Sequence, residues 1–242
     1  MRHWLPVTLL LVALVGSAQI LQTVAGAKPP AGSVAYANNG NASLNSGGST
    51  SVAITLTGVT AGNCLVIGAS WVDNTITVSS VSDSNGTMVD LVTQTSWSSG
   101  GAAARSWYVK NTASGSHTIT INFSGTATFR NIIVDEFSGA NTSTPIENPV
   151  ITTGSGNGSS PLTLTTASMS VSGNNSMIWA FGNFATSGTI VAGTGYTLRS
   201  GSGNWRSETK AENAGSDTAV MTSTDAGNLS AAWFIGGTVV KP

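Results

Sequence analysis

The chain has 242 residues, a formal net charge of −1 and only 8% charged side chains, so it has no basic face for nucleic acid or anionic lipid. Apolar residues make up 40% of it and arrive in strand-length runs, which excludes a disordered chain. Its single cysteine, Cys64, excludes an intramolecular disulfide.

Residues 1–27 read as an export signal. Arg2 and His3 supply a basic start, Trp4 to Gly16 is apolar apart from Pro6 and Thr8, and small residues allow cleavage after Ala18 or Ala27. That run is shorter than the roughly 20 residues a spanning helix needs. A retained anchor is the alternative, because Ile20, Leu21 and Val24 prolong the hydrophobicity. The mature protein is expected outside the cell or on its surface, with no membrane span once the signal is removed.

Short strands rich in Val, Thr, Ile and Trp then alternate with Gly/Asn/Ser turn clusters. In the first half, 28–140, strands are predicted at Val52–Thr57, Cys64–Val72, Ile76–Val81, Met88–Thr93, Ala102–Lys110, His117–Phe123 and Phe129–Phe137. In the second half, 141–242, they are predicted at Leu162–Thr166, Met177–Phe184, Thr189–Val191, Tyr196–Arg199, Trp205–Glu212, Thr218–Thr222 and Leu229–Val240. The intervening stretch from Gly139 to Pro161 reads as a polar join. The fold class that follows is all-β: a duplicated antiparallel β-sandwich with jelly-roll or immunoglobulin-like halves.

The duplication is legible in the chain itself. Ser106 to Thr118 matches Ser207 to Thr218, most clearly from Lys110 and Lys210 onward. Gly62 to Ile67 parallels Asn174 to Trp179, and Asn131-Ile132-Ile133-Val134 takes the place of Ala232-Trp233-Phe234-Ile235. Met177 to Phe184 carries apolar residues on both faces, a sign of burial on both sides. Two arrangements fit, separate sandwiches or halves paired edge to edge into one broad sandwich, and the doubly buried strands favour one compact body.

The run Gly62 to Val66, the Val81 to Gly86 turn, the Phe137 to Ile146 link and the closing Trp233 to Pro242 resemble uncharacterised bacterial extracellular β-sandwich repeat modules of secreted and surface proteins. The resemblance spans nearly the whole mature chain. Its motifs are structural, so it implies secretion and fold without implying a reaction.

Chemistry-bearing residues are sparse. The mature chain has one histidine, His117, read as an exposed structural residue. Asp135 and Glu136 are adjacent in a strand and point to opposite faces. Glu208, Lys210 and Glu212 share a face that reads as solvated and charge-compensated. No catalytic residues emerge, and the chain is read as a non-enzyme. Asp73, Asp83 and Asn85 lie in loops with oxygen atoms that suit Ca²⁺, although Asp-Ser-Asn-Gly is first of all a hairpin turn. Trp71, Trp107, Trp179 and Trp233 read as core. Trp97 and Trp205 flank Ser/Gly loops, where the plainer reading is that each ring folds back over a sandwich edge; with Asn204 and Arg206 they also resemble a sugar-binding platform.

The functional expectation is a non-catalytic structural or adhesion module that presents a Ser/Thr/Asn surface to a matrix, a surface protein or another copy of itself. A carbohydrate-binding module acting on an extracellular glycan through the loop tryptophans is the alternative. A secreted hydrolase is a distant third.

Overall fold

The structure is a computed structural model that describes residues 32–44, 48–98, 101–156, 158, 161–223 and 231–242. The segment expected to hold the export signal lies outside the described residues. All regular structure among them is antiparallel β, in sixteen strands. The first seven are β1 (Ala35–Leu44), β2 (Ser49–Val59), β3 (Cys64–Val72), β4 (Val78–Asp83), β5 (Met88–Ser98), β6 (Ala102–Val109) and β7 (Gly115–Ser138). They are followed by β8 (Ile146–Ser155), β9 (Leu162–Thr165), β10 (Met169–Val171), β11 (Ser176–Phe184) and β12 (Thr197–Ser202). The last four are β13 (Trp205–Glu212), β14 (Gly215–Asp217), β15 (Val220–Ser223) and β16 (Ala232–Val240).

β7 organises the first half. The sequence predicts two strands here, but the chain runs through as one strand of 24 residues. Its first part pairs with β2 and β4, and its second part pairs with β1 and β3. The strand therefore belongs to both walls of a sandwich. The alternation of its apolar residues marks the crossing. Ile119, Ile121 and Phe123 are the core positions early in β7, whereas Ile132 and Val134 are the core positions later. That change of phase requires an extra residue. The register supplies it as a bulge: Ser70 pairs with Asn131 while Val72 pairs with Thr128.

The second half repeats this plan. The order β1-β7-β3-β6-β5 is matched by β8-β16-β11-β13-β12. The opposite wall is the ribbon of β9 with β15 and β10 with β14, extended by a bridge between Val191 and Thr222. Each half encloses its own core, one around Trp71, Trp107 and Ile119, the other around Ile178, Phe184 and Met221.

Three sequence expectations need correction. The join between the halves contains β8, a full edge strand on β16. The Asn-rich stretch before the first predicted strand is β1, the corresponding edge strand on β7. The Lys110–Lys210 match is out of phase. Ile67 pairs with Trp107 as Ala180 pairs with Glu208, so Glu208 stands where the first half has Trp107, and Lys210 matches Val109. By the same reckoning Leu65 corresponds to Ile178, Gly68 to Phe181 and Ser70 to Asn183, so the match of Gly62–Ile67 with Asn174–Trp179 is also one residue out of phase. The core faces agree with this pairing: Leu65 and Ile67 face the first half's own core, as Ile178 and Ala180 face the second's.

A third core joins the halves. It contains Cys64, Val66, Ile133 and Phe137 from the first half, and Trp179, Phe181, Trp205 and Phe234 from the second. The two five-strand faces thus lie against each other, giving four layers in all. β1 approaches β12 and β5 approaches β8, the crossing that a twofold axis along β3 and β11 produces. At the centre Phe181 stacks on Trp179 with ring centroids 4.8 Å apart. A side chain on Gly68 would put its Cβ 2.6 Å from the Phe181 ring, and one on Gly236 would put it at 2.4 Å. Both positions must be glycine for Phe181 to enter.

Replacing Phe181 with alanine should cost about 3–5 kcal/mol, the range for deleting a buried phenyl ring. Gly68→Ala should cost about 1–3 kcal/mol by overpacking. Urea denaturation followed by tryptophan emission checks both. A negligible loss in Phe181→Ala would show that the halves do not depend on this contact.

Candidate functional site

The inter-half layer opens at the end where β3 and β11 finish. There a cavity of about 510 Å³ takes its walls from both halves. Ser70 to Val72, Trp97, Phe129 and Asn131 line one side; Asn183 to Gly188 and Ser202 to Trp205 line the other. Across its floor the Asn183 Nδ2 donates to the Ser70 hydroxyl at 3.2 Å. These two residues occupy equivalent positions in the halves, so the cavity sits on the pseudo-twofold axis.

Trp97 and Trp205 both line this cavity, but their rings do not stand as open platforms. Trp97 is 7% exposed and Trp205 is 2% exposed. Both pack on Phe234, with ring centroids 5.2 and 6.2 Å away. Their indole N–H groups are buried without a hydrogen-bond partner among the described residues, as is the Asn183 Oδ1. An unmet buried donor or acceptor costs roughly 1–3 kcal/mol. Asn204 lines the cavity too, and its amide donates to the carbonyls of Phe184 and Thr186, both at 2.8 Å, which holds the 185–188 loop in place. Arg206 is not in the cavity wall; its Nη1 donates to the Gly201 carbonyl at 2.9 Å and braces the β12–β13 turn.

Sequence reasoning missed Phe129. It lies in the β7 bulge, is 52% exposed and has a φ of +47°. A bulky side chain rarely adopts that left-handed backbone, and doing so stores strain of order 1–3 kcal/mol. The legible signal was the change of alternation phase between Phe123 and Ile132, which demands a bulge close by.

The expected cation ligands are separated into two turns. Asp73 accepts from the Thr75 backbone N–H at 3.0 Å and from its hydroxyl at 2.5 Å, which holds its carboxyl below the usual range. Asp83 accepts from the Asn85 N–H at 3.2 Å and contacts His117 Nδ1 at 2.5 Å. The Asn85 side chain donates to the Ser114 carbonyl at 3.3 Å. Among the described residues no three His, Cys, Asp or Glu side chains gather into a metal-binding group.

His117, expected to be exposed, is fully buried, tied through Nδ1 to Asp83 and through Nε2 to the Ala113 carbonyl. In-register pairing inside the sandwich explains this, because the position faces Leu56 across β2. Burial pushes the Cys64 thiol well up, consistent with an unreactive core residue.

Two carboxyls are buried where the sequence suggested none. Asp135 lies between the halves, accepting from Trp179 Nε1 at 2.6 Å and from the Ser200 hydroxyl at 2.8 Å. Burial raises its pKa despite these donors, the Ser207 hydroxyl and the Arg199 guanidinium, which rests 4.1 Å from the Tyr36 ring. Glu136, its neighbour on the opposite face, holds the β2–β3 loop through the Thr60 N–H at 2.9 Å and the Asn63 amide at 2.6 Å.

Glu208, expected on a solvated face, occupies the core position of Trp107 and is fully buried. Burial raises its pKa to about 8, countered by the Gly193 N–H donating at 3.0 Å. Lys210 is only partly exposed, bridging Glu212 at 2.7 Å and Asp217 at 2.5 Å. Asp135, which belongs to β7, and Glu208 lie on opposite sides of the second half's large sheet, so they do not form a catalytic pair.

Glu208 makes stability depend on pH. Between the ordinary value of 4.5 and about 8 the unfolded chain has lost a proton that the folded chain keeps, so stability falls as pH rises through that window. Glu208→Gln should flatten the fall in melting midpoint across it, with Asp135 leaving a residual slope of the same sign. A variant with the wild-type profile would refute the buried carboxyl. Calcium and a chelator should leave the wild-type midpoint unchanged, because Asp73 and Asp83 are committed to separate turns; a rise with Ca²⁺ would count against that assignment.

Compared with models of known protein families, with curated proteins and with solved structures, the chain matches none.

Proposed function

We propose that the protein is a secreted, non-catalytic structural or adhesion module: a stiff β body that presents a hydroxyl- and amide-rich surface to a matrix, a surface protein or another copy of itself. One observation carries this reading. Most of the buried side chains able to do chemistry are committed to holding the fold: His117 to Asp83, Asp135 to Trp179 and Ser200, Glu136 to Thr60 and Asn63, with Cys64 buried; Glu208, one of whose carboxyl oxygens has no partner among the described residues, is the exception.

The outer face of the β2-β7-β4 wall supports presentation. Thr55 and Thr118 share a hydroxyl–hydroxyl bond of 2.9 Å, and the Asn122 amide donates to the Ser80 hydroxyl at 2.9 Å. Such cross-strand pairs order the polar groups without charge. Among the described residues β2 has β7 as its one strand partner and so ends this wall, which favours recruitment of a further strand.

Purified protein should bind the surface or matrix of the cells that produce it. Thr55→Lys with Ser80→Lys should weaken that binding at least tenfold while leaving the melting midpoint within about 2 °C, since exposed substitutions change stability by less than about 0.5 kcal/mol. Sedimentation separates self-association from attachment to another partner. Undiminished attachment of the double variant would remove the outer face from the proposal, and turnover of a polysaccharide or ester would refute the non-catalytic reading.

A further inference from the structure

The cavity on the pseudo-twofold axis differs from the rest of the inter-half layer in its chemistry. None of its described lining residues is ionisable. Two indole N–H donors, from Trp97 and Trp205, and one amide acceptor, the Asn183 Oδ1, are buried in residues that line it and have no partner among the described residues. A strained bulge in β7 turns an aromatic ring, Phe129, to the exposed part of the same wall. Bulges of this kind re-aim side chains beside binding sites, and strained non-glycine residues persist where the surroundings hold them for a purpose.

We propose that this cavity binds the ring of a neutral sugar. A pyranose carries hydroxyls that accept from the indole N–H groups and donate to the Asn183 carbonyl oxygen, and its C–H face packs on an aromatic ring such as Phe129. Other ligand classes fit less well. A phosphate or carboxylate would find no cation in the wall, and a cation would find no carboxylate. A hydrocarbon chain would leave the indole and amide groups unmet. The volume of about 510 Å³ falls in the range of roughly 300–1,000 Å³ typical of small-ligand pockets. Trp97 and Trp205 serve here as hydrogen-bond donors, and Phe129 supplies the stacking face that the buried indoles do not.

This site is independent of the adhesive outer face. It lies between the halves, so its failure would leave the scaffold reading intact, and loss of attachment in the Thr55→Lys, Ser80→Lys variant would leave the sugar site intact.

The full chain is titrated with glucose, galactose, mannose, xylose and N-acetylglucosamine and their disaccharides. Glucuronic acid, glucose 6-phosphate and a Ser/Thr-rich peptide form the contrasting arms. Tryptophan emission and calorimetry provide the readouts. At least one neutral sugar should give a saturable change in emission. Phe129→Gly should weaken it tenfold or more with a melting midpoint no lower than wild type, because glycine accepts the positive φ. Trp97→Phe, which removes one N–H donor while keeping an aromatic ring, should weaken it as well. The proposal is overturned if no neutral sugar binds, if Phe129→Gly binds as tightly as wild type, or if only the charged sugars or the peptide bind.

Discussion

Phe181 against Gly68 is the contact on which the rest of the body rests. The two positions are equivalent in the duplicated halves, and they meet on the axis that relates them. Two copies of the first half would oppose glycine to glycine and leave a void. Two copies of the second half would drive one phenyl ring into another. Only the mixed pair fills the space, so the divergence of the repeats is what makes their union close-packed. The large faces meet through that fit, and the polar groups near it are positioned by it.

Asp135 illustrates the dependence. A carboxyl in the middle of a sheet-to-sheet layer is costly, and its neighbours Trp179, Ser200 and Ser207 all come from the opposite half. Separation of the halves would expose the carboxyl to water and strand the indole donor. The group therefore specifies which surfaces meet more than it strengthens the meeting. Glu208 plays no such bridging part. It is a carboxyl inherited at a core position, held mainly by one backbone N–H, and it ties the stability of the second half to pH.

The strands that carry apolar residues on one or both faces, such as β3, β6, β11 and β16, were legible because burial leaves a periodic mark. β1 and β8 were not. Both are edge strands with one hydrogen-bonded neighbour, and their Asn, Gly, Thr and Pro content reads as loop. The repeat was visible, but identity of the lysines misled the register. Packing follows the face a residue points to, and the match in phase is Lys210 with Val109. Glu208 was misplaced for the same reason: a glutamate in a Trp position carries no sequence sign of burial. At the cavity, Trp97, Trp205 and Asn204 were found from their loop setting. Asn183 and Phe129 were not, since one lies within an apolar strand and the other owes its exposure to a bulge.

The direction of the strands has a further consequence. β1 begins at Ala35 beside Ser138, and β16 finishes at Val240 beside Met177, so both extremities of the described body emerge at the same pole. The cavity lies at the other pole, beyond Ser70 and Asn183, a strand length of roughly 30 Å away at about 3.3 Å per residue. Anything attached through either extremity, whether a membrane, a wall polymer or a neighbouring domain, would hold the molecule upright with the cavity facing outward.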